Sequence, residues 1–181
     1  MAKFYISDLH LGHANIMRHS KRKFSDVDEM DQTFIDNWNS VVTDNDEVYI
    51  VGDFSYKSRK NAVEYLKLLK GKKYLITGNH DKHIVKDPVA RRMFVEIRDR
   101  MTVDDNGTLI VLDHFPELEW DGFFRGTLHF YGHIHNNVEH NTYKIMKTIK
   151  NAYNVGTDIL GYYPRTKEDV IKYNNEFNAK N

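Results

Sequence analysis

The sequence predicts an α/β fold, and three observations carry that prediction. Short apolar runs alternate with segments of helical periodicity through the first hundred residues. An Asn-Gly turn then separates two further extended runs, and five apolar or mixed runs end in short stretches rich in Asp, Asn and His. The first run, Phe4-Tyr5-Ile6, is β-rich and closes on Asp8, so it reads as a strand. Beyond it, Ser25 or Asp26 offers an N-cap for a helix whose apolar positions Val27, Met30, Phe34, Trp38 and Val41 step by three and four. A second strand over 47–51 leads to Asp53. A second helix opening near Ser58 carries Val63, Leu66 and Leu69 and stops at Gly71, a natural residue just past a helix end. A third strand begins at Lys73, and Asp87-Pro88 supplies an N-cap and a first-turn proline for a third helix reaching Ile97.

From Arg98 the rhythm changes. Two extended runs flank Asp105-Asn106-Gly107, and Asn-Gly is the strongest short-range hairpin signal, so antiparallel pairing is expected to begin here. Residues 127–131 and 143–149 read as further strands joined through Asn136-Asn137, with another over 152–155. A last helix opens at the capping box Thr166-Lys167-Glu168-Asp169, runs over Val170, Tyr173 and Phe177, and is expected to fray over 178–181. No internal repeat, low-complexity tract or domain-separating linker interrupts the pattern. The expectation is one domain over residues 1–181, with a mixed sheet or two packed sheets.

At 181 residues a chain hides about 70% of its unfolded surface, enough for a core without staples. Lys plus Arg and Asp plus Glu number 26 each, which leaves no global field to gather nucleic acid or an anionic membrane. Cysteine is absent, so any metal must be held by oxygen and imidazole nitrogen. The chain enters a strand directly after Met1-Ala2-Lys3 and contains no apolar run of membrane-spanning length. A soluble, cytoplasmic protein with no membrane partner is expected.

The ten histidines are separated by position. Asp8-Leu9-His10, Gly52-Asp53, Gly78-Asn79-His80-Asp81 and His114 each close an apolar run, and Gly132-His133-Ile134-His135 follows Leu128-His129-Phe130-Tyr131. Ligands of open α/β sheets gather at the carboxyl ends of strands, so five strand ends should converge. Asp8 and His10 lie two apart and share a face if the extension persists; His133 and His135 repeat that spacing. Asp53 has two oxygens with which to bridge ions about 3.5 to 4 Å apart. Asn79 offers a neutral hard oxygen, while the adjacent His80 points elsewhere and so has a different task. His114 completes seven candidate ligands. A histidine at a strand end is, taken singly, more often an ordinary hydrogen-bonded residue. A specified string such as Gly-Asn-His-Asp, however, arises by chance in about one chain in a thousand of this size at roughly 5% per residue.

Together these motifs resemble those of the calcineurin-like metallophosphoesterases: Asp-x-His, Gly-Asp, Gly-Asn-His-Asp/Glu, His and Gly-His-x-His are matched in order over residues 8–135. The opening through His13 is similar to the Asp-x-His-x-Gly-His of small bacterial and phage phosphoesterases. The resemblance implies a four-layer αββα sandwich with mixed sheets. It also implies a dinuclear site in which Asp8, His10 and His135 hold one ion, Asn79, His114 and His133 the other, and Asp53 bridges. Two departures stand out. Protein phosphatases of the superfamily extend the second motif to Gly-Asp-x-x-Asp-Arg-Gly, whereas this chain reads Gly52-Asp53-Phe54-Ser55-Tyr56-Lys57-Ser58, with Tyr56 in place of the carboxylate that orients the catalytic histidine. Phosphoprotein substrates are therefore a poorer expectation. Asp113 precedes His114 where a small or apolar residue is common; it either points away or accepts from an imidazole.

The implied chemistry is phosphoester hydrolysis. Two close divalent ions bring the pKa of a bridging water near neutrality, and the resulting hydroxide attacks phosphorus in line. His80 is the expected proton donor to the leaving group. Imidazole with carboxylate suits divalent transition metals, with manganese expected and iron or zinc as its companions. A phosphodiester is the expected substrate. A phosphomonoester of a small metabolite or nucleotide is the alternative, and a metal-binding scaffold without activity is the rival from another class. The complete ligand set and the presence of His80 favour an enzyme, while neutral charge and the lack of a long basic stretch disfavour nucleic acid. Arg18, in the basic run 18–23, is a candidate for the phosphate entrance, with His13 and Asn15 as neighbours; a solvated loop and ordinary loop capping are the alternatives. The aromatic stretch 120–126 either stacks a base or roofs the core. Motif residues that touch metal and phosphate say nothing of the leaving group.

Overall fold

The computed structural model describes all 181 residues. The first half builds a four-stranded parallel sheet from β1 (Lys3–Ile6), β2 (Glu47–Val51), β3 (Lys72–Ile76) and β4 (Glu96–Arg98), in that spatial order. Its connections carry α1 (Ala14–His19), α2 (Val27–Val41), α3 (Ala62–Leu66), α4 (Lys82–Lys86) and α5 (Pro88–Arg91). The second sheet, β5 (Arg100–Asp105), β6 (Thr108–Asp113), β7 (Leu128–Tyr131) and β8 (Ala152–Asn154), is mixed: β5 and β6 form the expected antiparallel hairpin, but β6, β7 and β8 are parallel. Parallel neighbours need crossovers. Here they are the loop containing a 3-10 turn at Phe123–Arg125 and the segment containing α6 (Asn141–Met146); α7 (Lys167–Lys180) closes the fold.

Alternation along the first sheet explains the layering. Phe4, Ile6, Val48, Ile50 and Leu75 face the helices and pack with Met30, Phe34 and Trp38 of α2. Tyr5, Tyr49, Val51 and Ile76 face the other way, against Val103, Ile110, Leu112 and Phe130 of the second sheet. Tyr5 stacks on Tyr49 with ring centroids 5.5 Å apart, and Phe130 meets Tyr5 edge-on at 4.9 Å. Val170 of α7 enters this inter-sheet core. The fold is thus the α/β sandwich of two packed sheets and helices that the sequence predicts. No helix is long and apolar enough to cross a membrane.

Four expectations are corrected. Residues 143–149 do not form a strand: α6 buries Tyr143 and Met146, three apart, in a small cluster with Tyr131 and Ile134, and leaves Ile145 exposed. Its short apolar run fits period 2 and period 3.6 alike. The third helix ends at Arg91, and the chain re-extends as β4, because the β-rich Val95-Glu96-Ile97 finds the free edge of β3; Val95 N–H donates to Lys73 O at 2.8 Å. The second helix starts at Ala62, where Asn61 and Glu64 form a reciprocal capping box, rather than near Ser58. Finally, α7 stays helical to Lys180. The caps at Asp26 and Thr166 are as expected, each accepting from the N–H three residues on.

Candidate metal centre

All seven candidate ligands lie beyond the carboxyl ends of strands: Asp8 and His10 after β1, Asp53 after β2, Asn79 after β3, His114 after β6, and His133 and His135 after β7. The chain does not stay extended there. Asp8 (φ 57°), His10 (φ 52°), Asp53 (φ 56°), His133 (φ 69°) and His135 (φ 50°) all occupy the left-handed region. Each such residue costs on the order of 1–3 kcal/mol and persists only where its surroundings dictate it. Asp8 and His10 therefore meet because both turn, not through strand alternation. The loops after β1 and β2 are zipped by Asp8 N–H to Gly52 O, His10 N–H to Asp53 O and Leu11 N–H to Phe54 O, each 3.0 Å. Gly52, at φ 87°, has no room for a Cβ, which would strike the His114 ring. A Cβ on Gly132 would strike the side chains of Ser7 and Asp8.

The side chains converge. Asp53 Oδ2 lies 3.5 Å from both His10 Nε2 and His114 Nε2, and His135 Nε2 lies 3.7 Å from Asp8 Oδ1. Asn79 Oδ1 is 3.2 Å from His114 Nε2. Two sets have ligand atoms mutually within 4.8 Å, Asp8 with His10 and His135, and Asp8 with Asp53 and His114. His133 stands at the open side, its ring 5.2 Å from that of His114. Asp8, His10, Asp53 and His114 are buried, whereas Asn79 and His133 are exposed on the cleft, which encloses about 440 Å³.

These residues fit divalent metal. Both ring nitrogens of His10 are buried without a hydrogen-bond partner, a situation costing roughly 1–3 kcal/mol per orphaned group and rare without a cause. Burial, with His135 and Arg22 adding, holds the His10 imidazole far below its usual pKa and hence neutral, the state that ligates. Burial likewise pushes the Asp53 carboxyl up to about 7; His114 opposes the rise and Asp8 reinforces it. Acids and imidazoles crowded in this way suit a bound cation. The donor set of imidazole, carboxylate and amide oxygen suits a transition metal.

Further contacts support the candidate ligands, and two of the residues that make them, Arg22 and Asp158, lie outside the sequence motifs. His114 Nδ1 donates to Val51 O at 2.9 Å, which leaves Nε2 free to face Asp53. Arg22, inside the basic run, is buried: its guanidinium donates to Asp158 at 2.6 and 3.2 Å, to Asp8 O at 2.6 Å and to Leu9 O at 2.8 Å. Asp158 Oδ2 in turn lies 3.0 Å from His135 Nδ1. Burial alone would raise the Asp158 carboxyl, but Arg22 and His135 outweigh it and hold it below the ordinary range. Burial lowers His135, yet Asp8 and Asp158 together raise it. Asp81 accepts from the N–H groups of Asp53 (2.7 Å), Gly78 (2.8 Å) and Phe54 (3.0 Å), welding the loops after β2 and β3.

His80 sits beside the ligands. Its Nε2 is 4.0 Å from Asp53 Oδ2, and its N–H donates to Asp53 Oδ1 at 2.9 Å. Burial outweighs Asp81 and depresses its pKa. Where the protein phosphatases carry a carboxylate, the Tyr56 ring lies 3.9 Å from the His80 ring, and His13 packs edge-on to Tyr56 at 4.9 Å. Asp113 accepts from Phe115 N–H at 2.9 Å and reaches no imidazole. Of the substrate candidates, His13 lines the cleft; Arg18 is exposed away from it, and Asn15 borders the adjoining depression. From the basic run, His19 and Ser20 line the cleft instead. Trp120 is buried, donates to Thr127 O at 2.9 Å and packs on His129, so it roofs the core, whereas Phe124 in the same loop is 87% exposed.

A family model described as calcineurin-like phosphoesterase matches residues 4–167. An uncharacterised protein of Methanocaldococcus jannaschii is 36% identical over 175 residues, covering 95% of this chain and 91% of its own. The gene 66 protein of Mycobacterium phage L5 is 30% identical over 160 residues, with 74% and 77% covered. Among solved structures, a protein of unknown function from Aquifex aeolicus superposes with a TM-score of 0.71 at 26% identity, over 94% of this chain and 97% of that one.

Proposed function

Since this chain belongs to the calcineurin-like phosphoesterase family, we propose that it is a dinuclear-metal phosphodiesterase. The observation that carries the reading is the cluster of buried Asp8, His10, Asp53 and His114 with half-buried His135, with His80 next to it and outside it. Asp8, His10 and His135 would hold one ion and Asn79, His114 and His133 the other, with Asp53 between them. The donor set favours manganese, with iron or zinc in either place. Bound there, the metals supply Lewis acidity toward the phosphoryl oxygens and an activated water.

The remaining steps fall to the chain. His80 Nε2 supplies the proton that the departing oxygen needs, and the Tyr56 ring packs against that imidazole at 3.9 Å, tilted by 39°. The cleft is lined by imidazole and amide groups with no Lys or Arg. That supports a singly charged diester over a doubly charged monoester, for which a cationic clamp would be expected.

The test is hydrolysis, with manganese supplied, of a bis-aryl phosphodiester, an aryl phosphomonoester and cyclic nucleotides, together with metal analysis of the purified protein. Diester preference, about two ions per chain and loss of activity in excess chelator are expected. Monoester preference would overturn the diester assignment. Metal bound without turnover on any ester would make the protein a scaffold.

A further inference from the structure

The charges that balance over the whole chain do not balance locally. Two adjoining depressions of about 510 and 410 Å³ run from the loop after β3 along α4 and α5. They are lined by Lys82, Lys86, Arg91, Arg92 and Arg98 against a single carboxylate, Asp99. All five cations are exposed. Arg98 is tied to Glu96 at 2.6 Å, and the Asp99 carboxylate accepts from Thr77 Oγ1 at 2.6 Å. The other four project without an acidic partner. Lys86 and Arg91 border both depressions, which makes them one track.

Its inner end abuts the metal cluster. Thr77 and Gly78 wall the track, and the next two residues, Asn79 and His80, wall the cleft. Both open at the carboxyl edge of the same sheet, the cleft past β1 to β3 and the track past β3 and β4. Phe115 stands beside the cluster, 47% exposed, its ring 4.7 Å from that of His133. The cleft thus lacks cations while the path beside it is lined with them.

We infer that the track seats the phosphates flanking the scissile one in a single-stranded oligonucleotide, which is the substrate class of the adjacent cleft. A polyphosphodiester satisfies both parts at once. One linkage meets the metal ligands, its neighbours meet the row of Lys and Arg, and Phe115 offers a face for a base. This rests on the phosphodiesterase reading of the cleft.

The experiment measures fluorescence anisotropy of a labelled, cleavage-resistant phosphorothioate oligothymidylate of roughly twelve nucleotides with the protein as purified, over a salt series. Four unpartnered cations and a slope of about −0.7 per neutralised phosphate give an expected log–log salt slope of about −3. The K86Q/R91Q double variant changes exposed side chains with no partner to lose. It is expected to weaken binding tenfold or more and to make the slope shallower by about 1.4. Absence of binding, salt-independent binding, or binding unchanged in K86Q/R91Q at equal thermal stability would overturn the inference. Hydrolysis of the bis-aryl diester by the same preparation with manganese supplied separates the two readings. Turnover without oligonucleotide binding refutes the track alone, and salt-dependent binding without turnover leaves the track and refutes the phosphodiesterase.

Discussion

Replacing Arg22 by Met tests whether the metal site rests on a buried ion pair that no motif reveals. Met keeps an apolar stem against Phe34, over whose ring the guanidinium lies at 5.3 Å. It removes both bonds to Asp158 and those to Asp8 O and Leu9 O. The side chains of Arg22 and Asp158 are 0% and 1% exposed, so the full cost of an abandoned buried charge applies, about 3–5 kcal/mol. For a domain of this size that lowers Tm by roughly 6–20 °C. The assay is denaturant unfolding of chelator-treated R22M, D158N and R22M/D158N. The double variant leaves no stranded carboxylate and should be more stable than R22M, with a coupling of about 2 kcal/mol or more. The pH dependence has a definite sign. In the parent, the Asp158 carboxyl lies below its unfolded pKa, so its stabilisation is complete above that value and fades as acid protonates it. In R22M the buried carboxyl loses its main partner, and acid relieves the penalty, so the gap between R22M and parent closes as pH falls toward about 4. A gap below about 1 kcal/mol at neutral pH, or one that widens in acid, would refute the reasoning.

Three further outcomes follow from the geometry. His80→Ala should retain both ions by metal analysis yet turn over diesters about 100-fold more slowly or worse, the usual loss for a proton donor; equal turnover would remove His80 from that role. Gly52→Ala forces a Cβ into the His114 ring at φ 87° and should cost about 2 kcal/mol or more, with metal content dropping toward one ion; an unchanged denaturation midpoint and stoichiometry would contradict it. His129 is buried, with Nδ1 donating to Val111 O and Nε2 accepting from Glu117 N–H, each at 3.1 Å, and burial depresses its pKa. The unfolded chain takes up that proton near pH 6.5 and the folded one does not, so His129 takes stability away as pH falls below about 6.5. An NMR titration in which the His129 ring protonates at the ordinary value would show the sign to be wrong.

How much was legible depends on whether the information is local. The ligand stretches could be read because strand, glycine and ligand lie within a few residues of each other, and the fold brings strand ends together as a rule. The cause of convergence could not. Asp8, His10, His133 and His135 were expected to alternate on extended chain, whereas each is turned left-handed, held at Asp8 and His10 by backbone bonds to Gly52 O and Asp53 O and at His133 by donation to the Asp8 carboxylate. Arg22 and Asp158 stand 136 positions apart, and no local motif pairs them. Arg22 looked like one more charge in a solvated run. The strand at 96–98 was lost to a helix signal because Asp87-Pro88 is local while the open edge of β3 is not. The basic track was invisible for the same reason, since Arg98 lies well beyond Lys82 and Lys86 in sequence and the net charge is zero.

Five ligand positions in the left-handed region represent about 5–15 kcal/mol of backbone cost, comparable to the whole stability of an ordinary domain. Metal binding alone cannot be what holds them, because many of the hydrogen bonds that fix these loops leave the inward-facing atoms uncommitted, although the Asp8 and Asp53 carboxylates also accept the N–H groups of His133 and His80. Asp81 spends both carboxylate oxygens on three backbone N–H groups. Arg22 spends its guanidinium on two carbonyls and Asp158, and His114 spends Nδ1 on Val51 O. What remains unspent is the set aimed inward: both nitrogens of His10, Nε2 of His114 and His135, and Oδ2 of Asp53. The loops are therefore held largely by hydrogen bonds of the chain itself, so that ions bound as proposed would enter a site whose strain the fold has already met. On this argument, metal affinity measured by titration should fall more for Asp81→Ala and Asp158→Ala than for Ala at the exposed candidate ligands Asn79 and His133.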